Sequence, residues 1–351
     1  MKIEKKLKRL GIKETKEFTQ EEKNIVANNV TDSLMMAFPV LKIEKENILN
    51  KIQNANMFYA KIDENLPKIN YIYENHKIYF DVSMDINKLT DSMIHEIIHY
   101  IQDIRKKKDK LDKIGLCNFN ELSLNGLGIN EGAVQYISAK ALNYNEQTVN
   151  KEGILLRTIS PNYYPILTNL IEQIISLIGE DELVKAVILN DKYFEDTFFN
   201  TFEENAQAII NLFDEIINYN VKKADNKVIK KDSNKLKKEN KLEEIKSMYI
   251  ETQDLIMRTY FDKRLKNITT EEEVDTLSKT IEKYIEITGK IEINGNYYNN
   301  CENYKSTLIN KLDKKLIKIH EQKSKMALAV VYGGRLTRLF NKIKSLFKSN
   351  A

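Results

Sequence analysis

The sequence predicts an α+β fold in which a small mixed or antiparallel sheet and two central helices precede a mostly α-helical C-terminal part. Three observations predict it. Aromatic and β-branched residues dominate three short runs between residues 57 and 82, apolar residues recur at helical spacing at 20–38 and 91–104, and neither glycine nor proline occurs between Gly179 and Gly289. The chain has 351 residues, 42% of them hydrophobic and 30% charged, so it can bury one or two cores.

The N-terminal elements are a helix and a short sheet. The helix covers 20–38 and stops before Pro39, because proline cannot continue a helix. The runs 57–62, 69–73 and 77–82 have the composition of strands, and a tight turn separates the last two. We therefore predict a small antiparallel sheet that ends in a hairpin.

Two helices follow the sheet. The first covers 91–104 after Thr90, which is a suitable N-cap, and its apolar residues occupy most of the circumference, so we expect it to be buried. The second covers 129–142 and follows a loop that contains two glycines. Helical patterning resumes at 166–178.

Composition divides the chain into three predicted parts. Residues 221–246 contain ten lysines and few apolar residues, which is typical of a linker or a solvated helix. Residues 1–220 then form one domain that contains the sheet and the two central helices. Residues 247–351 form a helical accessory domain, with helices expected at 271–288 and 304–322 and a strand or turn at 291–298 between them.

Charge and cysteine content exclude several classes of protein. The 55 basic and 51 acidic residues are interspersed and leave a net charge of +4, which gives no reason to expect a nucleic-acid partner. Cys117 and Cys301 are the only cysteines and lie far apart in sequence, which excludes a disulfide framework and a cysteine-built zinc site.

No signal peptide or transmembrane segment is recognisable, so we expect a cytoplasmic protein without an integral membrane segment. Residues 335–348 form a basic amphipathic stripe that can contact an anionic membrane or a partner. The alternative is a terminal helix that packs on its own domain.

Two of the four histidines, His95 and His99, stand four residues apart in an HEIIH sequence on the predicted buried helix. Residues at this spacing are about 40° apart around a helix, so both imidazoles can reach one metal ion. Glu96 lies beside that face, where its carboxylate can take a proton from a metal-bound water. The alternative is a buried helix whose two histidines are satisfied by hydrogen bonds.

A hydrolytic zinc site commonly has three protein ligands and one position for water. No third histidine follows the motif at a suitable distance, so a carboxylate is the expected third ligand. The candidate is Glu131, in the first turn of the helix at 129–142, and Glu121 is the nearest alternative.

These residues resemble the motif of the gluzincin zinc metallopeptidases, in which a glutamate on a following helix completes HExxH. The matching residues are His95, Glu96, His99, Asn130 and Glu131. The resemblance covers about 59–142 and implies a Zn²⁺ ion held by the two histidines and Glu131. It also implies that Glu96 is the general base and acid, and that an extended peptide or protein substrate lies along the sheet edge.

One position departs from the family's pattern. Many thermolysin-like members carry an aspartate four residues after the ligand glutamate, where it accepts a hydrogen bond from the first histidine, and this sequence has Gln135 there. An amide oxygen can accept the same bond without adding charge. Sites of this kind also use a tyrosine or histidine at the developing oxyanion, and Tyr163 and Tyr164 are the candidates because they follow the glutamate helix.

The function that the sequence predicts is that of a zinc-dependent metallopeptidase. The alternative is a regulatory or scaffold protein that keeps a metallopeptidase fold and acts through protein binding by its helical C-terminal region.

Overall fold

A computed structural model describes residues 3–106, 110–120, 123–228 and 235–348. It confirms a mixed α+β architecture with small sheets and a helical C-terminal part. The helices are α1 Ile3–Arg9, α2 Gln20–Ala37, α3 Lys45–Gln53, α4 Asp91–Gln102, α5 Leu127–Ala141, α6 Pro165–Ile178, α7 Glu180–Leu189, α8 Tyr193–Phe202, α9 Ala206–Val228, α10 Lys235–Asn267, α11 Glu271–Ile287 and α12 Asn300–Lys348. The strands are β1 Ile12–Glu17, β2 Met57–Ile62, β3 Ile69–Ile72, β4 Lys77–Asp81, β5 Asp103–Lys106, β6 Lys110–Ile114, β7 Asn118–Asn120, β8 Ser123–Asn125, β9 Gln147–Lys151, β10 Ile154–Thr158, β11 Lys290–Ile293 and β12 Asn296–Tyr298.

The first sheet has the strand order β1-β2-β4-β3 and contains the three strands expected from the sequence. β3 and β4 form the predicted antiparallel hairpin, but β2 and β4 run parallel, with Met57 opposite Ile78, so the sheet is mixed rather than antiparallel. Ile78, Tyr79 and Phe80 are all buried, and a strand buried on both faces belongs in the interior of a sheet. β3 is therefore left at the edge, next to α4.

The helix α4 begins as predicted, because the Thr90 hydroxyl accepts the Met93 N–H at 3.3 Å. It ends at Gln102, two residues before the predicted end. Asp103 leaves the helix because its buried carboxylate accepts hydrogen bonds from the Tyr71 hydroxyl and from His76, both of which come from the β3–β4 hairpin.

The helix α5 begins next to Gly126, which has φ +88°, a conformation that glycine adopts at little cost. Glycine has no side chain to cap the helix, and Asp214 on α9 supplies the cap instead. Its carboxylate oxygens accept the Gly126 N–H at 2.8 Å and the Gly128 N–H at 2.7 Å, a favourable place for negative charge. A Cβ atom at Gly128 would lie 2.1 Å from the Phe213 carbonyl oxygen, so α5 and α9 pack backbone to backbone.

The second sheet has the order β12-β11-β10-β9, and all its neighbouring strands are antiparallel. The segment 291–298, where the sequence predicts a strand or a turn, forms most of β11 and all of β12. The β9–β10 hairpin is an element that the sequence analysis does not predict. The loop 159–164 leads from β10 to α6 and passes beside the metal centre described below.

The chain divides into two compact units. The first comprises Met1–Thr259 and Ile287–Asn300, and the second comprises Tyr260–Glu286 and Cys301–Ala351. Within the predicted linker 221–246, helix α9 ends at Val228, α10 begins at Lys235, and residues 229–234 lie outside the described residues.

The predicted helices at 271–288 and 304–322 are α11 and the first half of α12. α12 continues through 335–348, but most side chains of that stretch lie outside the part that the structure describes. Among the described residues, none of the helices is long and apolar enough to cross a bilayer.

Candidate metal centre

Three side chains from two adjacent helices converge on one point. His95 and His99 come from α4 and Glu131 from α5, and one ligand atom of each lies within 4.8 Å of the others. The distances are 3.0 Å between the two Nε2 atoms, 3.3 Å from His95 Nε2 to Glu131 Oε2 and 3.2 Å from His99 Nε2 to Glu131 Oε1. These are the residues that the sequence analysis selected as a ligand set.

The spacing fits a metal ion. Ligand atoms at about 2.0–2.1 Å from a tetrahedral zinc ion lie about 3.3–3.4 Å apart, close to the distances between these three groups. The imidazoles and the carboxylate keep little contact with solvent, with side-chain exposures of 11%, 11% and 15%. In the described residues no fourth histidine, cysteine or carboxylate joins the group, so a bound ion would keep an open coordination position.

The tautomer of His95 is fixed by Gln135. The Gln135 Nε2 amide donates to both carboxylate oxygens of Asp91, at 3.1 and 2.9 Å, and to the Ser160 hydroxyl at 2.9 Å. Its Oε1 therefore faces His95 Nδ1, at 3.0 Å, and accepts a hydrogen bond from the Nδ1–H group. With the proton on Nδ1, the lone pair of Nε2 points to the metal position.

The tautomer of His99 is fixed in the same way by a different chain of contacts. The Leu116 N–H can only donate, and it bonds Asn130 Oδ1 at 3.0 Å, which orients the Asn130 amide. Asn130 and Gln102 then form a reciprocal amide pair, at 3.0 and 3.2 Å. Gln102 Oε1 is left facing His99 Nδ1 at 3.2 Å, so His99 also presents Nε2 to the metal position.

Glu96 lies beside the triad and keeps some exposure to solvent. Its Oε2 accepts the backbone N–H of Tyr71 on the edge strand β3 at 2.7 Å, so one carboxylate oxygen is anchored and Oε1 is left available. Burial raises the pKa of Glu96, and the neighbouring imidazoles and the Tyr71 N–H only partly oppose it. A raised pKa suits a carboxylate that must take up and release a proton.

The triad attracts positive charge. Burial alone would lower the pKa of His99, but the Glu131 and Glu96 carboxylates outweigh it and raise the pKa to about 9. Burial alone would raise the pKa of Glu131, and the two imidazoles reverse this and hold it well below the usual range for a glutamate. The Glu131 and Glu96 carboxylates thus favour positive charge at this position, and a metal ion competes with protons for the same ligand atoms.

The structure separates the two tyrosine candidates. The Tyr164 ring stacks near His95, with ring centroids 6.3 Å apart, and the pKa of its hydroxyl is raised by burial and by the carboxylates of Glu131 and Glu96. Tyr163 is 55% exposed. The alternative third ligand Glu121 lies outside the described residues.

Three residues that hold the ligands, Asp91, Gln102 and Ser160, were not selected from the sequence, and neither was Asp214, which caps α5. Asp91 stands four residues before His95 on the same helix face, and that spacing is a signal that could have found it. The contacts of Ser160 and Asp214 join segments far apart in the chain, and no local pattern marks them.

Comparison with known proteins found no relative of this chain. No family model matches the sequence, and no curated protein and no solved structure matches the chain.

Proposed function

We propose that the chain is a zinc-dependent metallopeptidase of the gluzincin type that hydrolyses peptide bonds. The observation that carries the proposal is the convergence of His95, His99 and Glu131 with Glu96 beside them and, among the described residues, no fourth ligand. A purely structural zinc site is usually closed by a fourth ligand and has no use for a flanking carboxylate. This difference favours hydrolysis over the alternative of a scaffold protein.

His95 Nε2, His99 Nε2 and Glu131 would hold the ion. When bound, zinc lowers the pKa of a water molecule and polarises the scissile carbonyl group. Glu96 Oε1 would accept one proton of the attacking water while Oε2 stays bonded to the Tyr71 N–H. The water oxygen would bond the carbonyl carbon, the C–N bond would break, and Glu96 would return the proton to the leaving amine nitrogen.

Two neighbouring features support a peptide as the substrate. β3 is the edge strand of its sheet, and an extended peptide can add to such an edge through backbone hydrogen bonds. The Tyr71 N–H, which bonds Glu96, belongs to this strand, so the edge and the general base lie side by side. The Tyr164 ring lies near the His95 ring, with centroids 6.3 Å apart, and its hydroxyl would donate to the developing oxyanion.

The test is zinc content and cleavage, measured on the same full-chain preparations. We expect about one zinc per chain in the wild type and in Glu96→Gln, and a loss of zinc in His95→Ala and Glu131→Ala. Glu121→Ala is the matched control and should retain its zinc. Full retention of zinc by Glu131→Ala would remove Glu131 from the ligand set.

Activity is measured by digestion of an unbiased peptide library. We expect cleavage by the wild type that a chelator abolishes and that Glu96→Gln lacks although its zinc is retained. A zinc-loaded wild type that cleaves nothing would favour the scaffold alternative.

A further inference from the structure

We propose that Asp91 is a positioning residue of the metal centre: through the Gln135 amide it fixes His95 and supplies negative charge that strengthens metal binding. This inference rests on the proposed function. It adds to the metal site a residue that acts on His95 through Gln135 and not by direct contact. On the side of His95 away from the metal position, the charged partner would thus be Asp91, with the Gln135 side chain between the two.

The contacts that link Asp91 to His95 are shielded from water. Asp91 is 8% exposed and Gln135 is 2% exposed, so solvent offers little competition for their hydrogen bonds. Both oxygens of the Asp91 carboxylate accept from the same Gln135 amino group. The Ser160 hydroxyl donates to the Tyr163 carbonyl oxygen at 2.6 Å and so offers Gln135 only an acceptor.

This arrangement allows one orientation of the amide. If Gln135 were flipped, its Oε1 would face the acidic oxygens of Asp91 and the acceptor of Ser160, and its amino group would face His95 Nδ1. The carboxylate therefore sets the amide, and the amide sets the tautomer of the histidine. A hydrogen bond to an ionised acceptor also polarises the next bond in the chain, which makes His95 a stronger donor of its Nε2 lone pair.

Two comparisons within the structure distinguish this role from helix capping. Asp91 opens α4, but the Thr90 hydroxyl already accepts the Met93 N–H there. The second histidine shows what a neutral version looks like, since His99 is held by the amides of Gln102 and Asn130. The Asp91 carboxylate thus places negative charge behind His95, on the side away from the metal position, whereas the amides behind His99 are neutral.

The experiment measures zinc affinity of the full chain by competition with a chromophoric chelator. Asp91→Asn keeps the size of the side chain and an acceptor oxygen but removes the charge, and we expect zinc binding to weaken about 10-fold or more. Asp85→Asn is the matched control, because Asp85 is an exposed aspartate six residues earlier, and its affinity should equal that of the wild type. Unchanged affinity in Asp91→Asn would overturn the proposal.

The double variant Asp91→Asn, Gln135→Glu transposes the charge to the position that contacts His95, and the new amide at position 91 donates to the new carboxylate at position 135. We expect it to regain wild-type affinity, which the loss of a helix cap could not explain, since residue 135 lies on another helix. Circular dichroism establishes whether each variant is folded. If Asp91→Asn does not fold, the double variant is the test of the proposal. Its failure to fold, or to bind zinc at wild-type affinity, refutes the positioning role of Asp91. A wild type that binds no zinc would instead refute the proposed function, and with it the positioning role of Asp91.

Discussion

Replacing Glu172 by glutamine tests how strongly one buried carboxyl group, which holds the loop beside the metal centre, makes the stability of the folded chain depend on pH. Glu172 lies on α6, and its Oε1 accepts the Ile159 N–H at 3.1 Å, which ties the loop 159–164 to that helix. Its Oε2 is buried. Burial raises the pKa of Glu172 to about 8; the Glu146 carboxylate adds to the rise, while hydrogen bonds from the Ile159 N–H and the Thr158 hydroxyl and the charge of Arg157 oppose it.

The size of the effect follows from this pKa. An ordinary glutamate has a pKa of 4.5, so between pH 4.5 and about 8 the folded chain holds a proton that the unfolded chain releases. The free energy of unfolding therefore falls as the pH rises through this window, by about 1.4 kcal/mol per pH unit, and levels off above it. The total decrease in the free energy of unfolding across this window can reach about 5 kcal/mol, and we expect a decrease of about 2–5 kcal/mol.

The assay is urea unfolding of the wild type and Glu172→Gln from pH 5 to pH 9 in the presence of a chelator. Because glutamine does not titrate, the stability of the variant relative to the wild type should increase between pH 5 and about 8 and then stay constant. Glu243→Gln, an exposed carboxylate on α10, should show no such trend. A difference between Glu172→Gln and the wild type that is the same at every pH would refute the reasoning.

Three further predictions concern α5, the tyrosines and the terminus. Gly128→Ala places a methyl group 2.1 Å from the Phe213 carbonyl oxygen, so α5 must move. We expect the free energy of unfolding, measured by thermal unfolding, to fall by about 3 kcal/mol and zinc binding to weaken. Unchanged stability and zinc affinity would contradict the close packing of α5 on α9. Tyr164→Phe should lower kcat about 100-fold with zinc retained while Tyr163→Phe has no effect, and equal kinetics in both would exclude the oxyanion role. Co-sedimentation with anionic liposomes separates the two interpretations of the terminus: binding by the full chain but not by a chain truncated before Arg335 indicates membrane contact through 335–348, and equal behaviour of the two favours a terminal helix that packs on its own domain.

The features that the sequence predicts well are those that depend on neighbouring residues. The start of α4 follows from the Thr90 cap and the apolar periodicity, and the HEIIH spacing places two imidazoles on one face of that helix. A short helix N-terminus and a four-residue spacing are local facts of helix geometry. They can be read without knowledge of the rest of the chain.

The features that the sequence does not predict depend on contacts between distant segments. α4 ends early because Asp103 bonds a hairpin that lies about thirty residues before it, and β2 pairs in parallel with β4 because the fully buried strand takes the interior of the sheet. From the sequence, Gln135 indicates the loss of a charged partner for His95. The charge comes instead from Asp91, whose four-residue spacing from His95 puts both on one helix face but does not show that Gln135 joins them.

The discontinuous first unit has a consequence for synthesis of the chain. The inner edge of β10 is completed only when Ile154 and Leu155 meet Ile291 and Lys290, which leave the ribosome long after β10 does. Until then β10 presents unpaired backbone N–H and C=O groups, and such an edge can pair with another chain. A nascent or proteolysed chain that ends before residue 287 would therefore carry a permanently open strand, and we expect it to aggregate even though every proposed metal ligand is present.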